Sequence, residues 1–172
     1  MAPVVPVEGV GEAAPRRRSQ KAGPAFWDPW PSFDPSDAPK GAVPDLATDT
    51  GQSNEDATEW SFTLKDGPKW QDGKPVTCED VKYGASRNYA DELTGGPNFD
   101  PRDFLDIPQD ADGAPAYKGP YLGVGQDLFD KAVVCDGNTI TYHFKKPWPD
   151  FPLAIAALRY PVMSPQASGL IH

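Results

Sequence analysis

The chain has 172 residues, a formal net charge of −9, 38% hydrophobic residues, 21 prolines and 16 glycines. That is enough for one ordinary domain with a core, and the five Trp, six Tyr and eight Phe exclude a fully disordered polymer. The acidic balance repels phosphate backbones and excludes a nucleic-acid partner, and no apolar run approaches the length of a membrane-spanning helix.

Residues 1–41 read as a Pro-rich irregular or disordered extension. The first 40 residues hold eight prolines, the cluster Arg16-Arg17-Arg18 and no apolar periodicity. An aromatic–proline run, "FWDPWPSFDPSDAPKG", fits a polyproline ligand or, more simply, an unstructured extension. No apolar core of a secretory signal follows the arginines, so the expectation is a chain without an export signal as written. The charge is concentrated later: residues 41–172 carry 11 basic and 20 acidic side chains.

From Thr58 the pattern becomes regular. Trp60, Phe62 and Leu64 alternate with polar residues, which predicts a half-buried strand. Asp66-Gly67 and Asp72-Gly73 predict two turns. Thr77 is placed to cap a helix over 77–90, with Glu79 and Asp80 in its first turn and Cys78, Val81, Ala85 and Tyr89 on one inward stripe. Residues 91–127 are loop-rich, with a short helix around 101–105. "LFDKAVVC" and "TITYHFK", joined at Asp136-Gly137-Asn138, predict a β-hairpin with Ile140, Tyr142 and Phe144 inward. Asp150 or a near neighbour is positioned to cap a short apolar helix, "FPLAIAALR", after which "YPVMSP" reads as extended. No internal repeat is evident. The plan is α+β, with mixed or antiparallel strands and short helices.

Candidate chemistry is sparse. Asp110 and Asp112 resemble a calcium loop, but the ligand order fails around Gly113, so a polar turn is expected. His143 faces outward without a nucleophile motif. Gly95-Gly96 and Gly123-Val124-Gly125 do not form a phosphate loop. Adjacent Glu79 and Asp80 cannot face each other on a helix, and capping accounts for them. Nothing in these residue types indicates an enzyme or implies a metal or cofactor. Cys78 and Cys135 lie outside any CxxC pair, and residue types alone leave two thiols and one disulfide both open.

The segment "WSFTLKDGPKWQDGKPVTCEDVKYGASR" resembles the signature of bacterial family 5 extracellular solute-binding proteins, the peptide, oligopeptide and nickel receptors of ABC importers. Trp60, Phe62, Leu64, Lys65, Gly67, Trp70, Asp72, Gly73, Pro75, Val76, Thr77, Glu79, Asp80 and Val81 all fit it. "AVPDLAT" at Ala42–Thr48 and "DGNTITYHFKKPWPDFPLAIAALRYPVMSP" are similar to flanking family segments. The resemblance covers about residues 42–168 and leaves 1–41 outside it.

It implies that 42–172 form part of lobe I of a two-lobed class II binding fold. The implied function is the substrate-binding component, or a fragment of one, of an ABC importer for peptides or similar solutes. The implied partners are a peptide or other small solute and ABC permease subunits, with membrane contact only through a lipid anchor or the permease. The implied location is extracytoplasmic, in the periplasm or as a cell-surface lipoprotein, and that location implies a Cys78–Cys135 bridge. The alternative is a truncated or frame-disrupted receptor fragment with no ligand binding of its own. Any ligand contact in this chain is expected after the first helix, at Asn88, Tyr89, Asn98 and Phe99.

Overall fold

A computed structural model describes residues 44–90 and 101–156. The Pro-rich extension, Asn98, Phe99, the end of the apolar helix and "YPVMSP" lie outside the described residues.

The alternation of Trp60, Phe62 and Leu64 becomes strand β2 (Glu59–Thr63). It pairs antiparallel with the two-residue strand β1 (Gln52–Ser53) and with β4 (Thr139–His143), which pairs in turn with β3 (Val133–Asp136). The sheet order is β1-β2-β4-β3, so β4 is inserted between the first strands and its own hairpin partner.

Register sorts the residues by face. Phe62 lies opposite Ile140, and Trp60 opposite Tyr142, on the inner face. On the outer face Ser61 and Thr141 share a hydroxyl contact at 3.0 Å, Thr63 and Thr139 one at 3.3 Å, and His143 Nδ1 lies 3.3 Å from Glu59 Oε2.

Helix α1 (Cys78–Ser86) starts where Thr77 predicts it should and continues as a 3₁₀ turn, Arg87–Tyr89. The inward stripe is buried throughout: Cys78, Val81, Ala85 and Tyr89 are all at or below 3% exposure. The helix packs over β3 and β4. A second 3₁₀ turn, Pro101–Asp103, marks the short helix expected near 101–105. Leu105 then bridges to Phe144, extending the sheet margin beyond β4.

Two expectations are corrected. The pattern from Leu128 predicts hairpin strand, but residues 128–132 belong to helix α2 (Gln126–Ala132), and β3 starts only at Val133. Phe129, Ala132 and Val133 are all fully buried at i, i+3 and i+4, while Asp127, Asp130 and Lys131 stay exposed. That is helical periodicity, and the apolar run into "VVC" obscured it. Asp150 does occupy the N-cap position of α3 (Phe151–Ala154), but its side chain makes no capping hydrogen bond. Its φ of −90° and ψ of 12° lie outside the extended region that aims a cap at the next amides.

Helix α3 delivers Phe151 into the core, where its ring lies 5.0 Å from Tyr142, 4.6 Å from Phe144 and 4.9 Å from Trp148. Proline is tolerated at position 152 because a helix's first turn has no intrahelical donor to lose.

A short turn does recur, contrary to the expectation of no repeat. "PKWQDGKPV" (68–76) and "PQDADGAPA" (108–116) share the spacing P-x-x-x-D-G-x-P. Both close with the same three backbone bonds. Trp70 N donates to Lys74 O at 2.8 Å, Gly73 N to Trp70 O at 2.9 Å and Val76 N to Pro68 O at 3.0 Å. Correspondingly, Asp110 N donates to Ala114 O at 2.7 Å, Gly113 N to Asp110 O at 3.1 Å and Ala116 N to Pro108 O at 2.9 Å.

Candidate functional site

The densest motif, residues 60–87, builds a junction between sheet, turn and helix. Asp80 is its hub. Its Oδ2 accepts hydrogen bonds from Thr77 N at 2.8 Å, Thr77 Oγ1 at 2.9 Å and the Trp70 indole Nε1 at 3.1 Å. Asp80 N donates back to Thr77 Oγ1 at 3.3 Å, which completes a reciprocal capping box. Asp80 is 8% exposed, and a buried carboxylate is tolerated there because three donors replace its water. The Trp70 indole, the Thr77 amide and the Thr77 hydroxyl all donate to one oxygen, so the hub's bonds run within the scaffold.

Cys78, the first residue of α1, forms a disulfide with Cys135 in β3, with Cα atoms 5.9 Å apart. The bridge fastens the start of α1 to the hairpin.

The candidate contact residues separate. Asn88 is half-buried and its Nδ2 donates to Ala85 O at 3.3 Å, closing the end of α1. Tyr89 is 2% exposed rather than on a loop surface. Its ring lies 5.1 Å from Tyr117 and 5.9 Å from Phe129, and those two rings stack at 4.7 Å. The stripe that put Tyr89 inward therefore outweighs the loop setting that suggested a contact. Asn98 and Phe99 fall outside the described residues.

A cleft of about 180 Å³ lies between α1 and α2, lined by Lys82, Tyr83, Gln126, Phe129 and Asp130 among others. Sequence reasoning missed it because α2 was read as strand. Its polar groups are turned on one another. Lys82 Nζ lies 2.7 Å from Asp130 Oδ1, Gln126 Nε2 donates to the same oxygen at 3.1 Å, and Tyr117 Oη donates to Gln126 Oε1 at 3.3 Å. Partial burial works to raise Asp130, but the hydrogen bonds from Lys82 and Gln126 hold it below the ordinary carboxylate value. Burial pushes the Tyr117 phenol up to about 12. These groups brace the two helices.

The supposed calcium loop is a polar turn. Asp110 Oδ1 accepts from the amides of Asp112 and Ala114, each at 3.0 Å, and its Oδ2 lies 2.6 Å from Lys118 Nζ. That Lys118 hydrogen bond is the main reason the Asp110 carboxyl sits below its ordinary value. Among the described residues no group of three His, Cys, Asp or Glu side chains could hold a metal ion, and no helix is long and apolar enough to cross a membrane.

Comparison with known proteins places this scaffold. The family model "Bacterial extracellular solute-binding proteins, family 5 Middle" matches residues 41–169. The solved structure titled "Clavulanic acid biosynthesis oligopeptide binding protein 2" is similar over 82% of this chain and 24% of its own, with a TM-score of 0.63 and 27% identity. The OppA protein of Burkholderia pseudomallei is similar over 84% of this chain and 26% of its own, with a TM-score of 0.58 and 25% identity. The pheromone receptor PrgZ shares the fold at a TM-score of 0.58 and 17% identity, over 84% of this chain and 26% of its own. Among curated proteins, the probable D,D-dipeptide-binding periplasmic protein DdpA of Escherichia coli K12 is 49% identical over 43 residues, a quarter of this chain and 8% of that protein. The chain thus spans about a quarter of the length of these solved relatives. With strand, double turn, capped helix and hairpin all inside the matched span, the chain belongs to the bacterial extracellular solute-binding proteins, family 5.

Proposed function

We propose that this chain contributes part of the first lobe of a peptide receptor that serves an ABC importer and hands its ligand to a membrane permease. The observation that carries the reading is the match of the described α+β unit to an oligopeptide-binding protein at 27% identity and a TM-score of 0.63. The names of the relatives point to peptides as the solute class. An extracytoplasmic site of action fits the oxidised Cys78–Cys135 pair. A lipid anchor or a permease would provide any membrane contact, and no enzymatic step is proposed.

In this reading the 60–87 junction supports the lobe from behind. Contacts to ligand fall to Asn88 and, beyond the described residues, to Asn98 and Phe99. Tyr89 would act indirectly, as the buried root of the segment that follows it. Deep burial of a ligand needs two walls, so binding belongs to the two-lobed whole.

The test is calorimetric titration of mixed di- to hexapeptides against this chain and against a polypeptide of the relatives' length that contains it. Saturable heat from the longer polypeptide and none from the chain alone supports the proposal. Saturable micromolar binding by the chain alone would overturn the division of labour. Silence from the longer polypeptide with every peptide would overturn the solute class.

A further inference from the structure

The sequence holds four Asp–Gly pairs, at 66–67, 72–73, 112–113 and 136–137. Among aspartyl peptides Asp–Gly is the most prone to intramolecular imide formation, because glycine has no Cβ to crowd its nitrogen. The rate depends on whether the aspartyl carboxyl is free to swing onto that nitrogen. The structure bonds the carboxylates of Asp66 and Asp72, and at Asp136 it holds the backbone rather than the carboxyl.

Asp66 is held: Asn138 Nδ2 donates to its Oδ1 at 2.7 Å. Asp72 is held twice by Lys74, whose amide donates to Oδ1 at 3.1 Å and whose Nζ lies 3.2 Å from Oδ2. These contacts, led by the Lys74 amide, keep the Asp72 carboxyl below its ordinary value. Asp136 sits in the β3–β4 ladder opposite Thr139, and the turn after it is tied down by Leu64 N donating to Asn138 O at 2.8 Å.

Asp112 differs, although its turn is the twin of the one holding Asp72. At the position of Trp70 the second turn has Asp110, and at that of Lys74 it has Ala114. Asp110 Oδ1 intercepts the Ala114 amide, the bond that would otherwise hold Asp112, and alanine brings no ammonium. Asp112 is exposed, no described residue bonds its carboxylate, and the space around Gly113 is open. The Gly113 amide donates to Asp110 O much as Gly73 donates to Trp70 O, so that bond does not distinguish the twins.

We propose that Asp112–Gly113 is a site of spontaneous aspartate isomerisation, selected over its twin because Asp110 captures the amide that would restrain it. The Gly113 nitrogen attacks Asp112 Cγ. A C–N bond forms and a C–O bond breaks; the carboxylate takes a proton from solvent, and its hydroxyl leaves with the amide proton as water. Water then adds back to either imide carbonyl, regenerating aspartate or giving a β-linked isoaspartate, with no net gain or loss of atoms or electrons. The product carries one extra main-chain carbon between Asp110 and Ala114, which breaks the register of Gln109 with Pro115 in that turn.

The full chain is aged at neutral pH in heavy-oxygen water, and the label each peptide acquires is mapped by mass spectrometry. The Asp112 peptide should gain roughly fivefold more label than the Asp72 peptide, the factor that one net hydrogen bond implies. Asp112→Glu should abolish label there. Asp110→Ala should lower labelling at Asp112 by returning the Ala114 amide to it, whereas a site governed by looseness alone would label faster once the Lys118 contact is lost. Equal label at the twins, greatest label at any of the other three pairs, or faster labelling in Asp110→Ala overturns the proposal.

Discussion

Replacing Asp80 by alanine removes one acceptor from three donors at once, and the cost can be worked from the junction. The two bonds from Thr77 belong to one helix cap, worth about 1 kcal/mol. The Trp70 indole bond goes to a charged acceptor at a nearly buried site and adds about 2 kcal/mol. Asp80→Ala should therefore cost about 3 kcal/mol, and Asp80→Asn, which keeps an acceptor but not the charge, about half of that. The neighbouring Glu79 is exposed, and Glu79→Ala should cost only the few tenths of a kcal/mol of its favourable place near the helix N-terminus. Urea unfolding followed by tryptophan fluorescence measures all three, with the slope expected to stay constant while the midpoint moves. If Asp80→Ala falls within about 1 kcal/mol of Glu79→Ala, the hub described here does not carry the junction.

Other perturbations probe separate parts of the fold. The Cys78–Cys135 bridge spans 57 positions, so the double serine variant should lose about 4 kcal/mol by chain entropy; equal urea midpoints for oxidised and reduced protein would rule that out. At Gly119 (φ +88°) an added Cβ would stand 2.9 Å from Ala90 N, so Gly119→Ala should cost more than about 2 kcal/mol, strain and contact together, in the same urea assay. The Tyr117 phenol is pushed up to about 12 in the folded chain against an ordinary 10.0, so its stabilisation is whole below pH 10 and is lost as pH rises toward 12. Tyr117→Phe should flatten the fall of the urea midpoint across that window, and an unchanged slope would show that Tyr117 is not the group responsible.

The legible parts of the fold were those set by local pattern. Trp60, Phe62 and Leu64 carry their strand in an alternation of two. Thr77 and the Cys78–Tyr89 stripe carry α1, and Asp136-Gly137 marks the hairpin. What sequence could not show is long-range. That β4 lies beside β2 depends on Phe62 meeting Ile140 across nearly eighty residues, and no local signal encodes it. Helix α2 was hidden because Phe129, Ala132 and Val133 serve helix and strand equally until their exposed neighbours are seen. The twin turns are faint in the sequence because only proline, aspartate and glycine positions repeat, while Trp70 and Asp110 differ. Of the candidate contacts, Tyr89 shows the conflict most plainly: one residue stood both on an inward stripe and at the edge of a polar loop, and burial against Tyr117 and Phe129 decided for the core.

The central claim is that the 60–87 signature builds the lobe and contacts no ligand. The direct measurement is the peptide dissociation constant of Trp70→Phe in a polypeptide of the relatives' length, taken together with its thermal midpoint. This change removes the indole N–H from Asp80 and trims the ring where it packs against the core. The account predicts a lower midpoint with an unchanged dissociation constant. A weakened dissociation constant at an unchanged midpoint would place Trp70 at the ligand and contradict it.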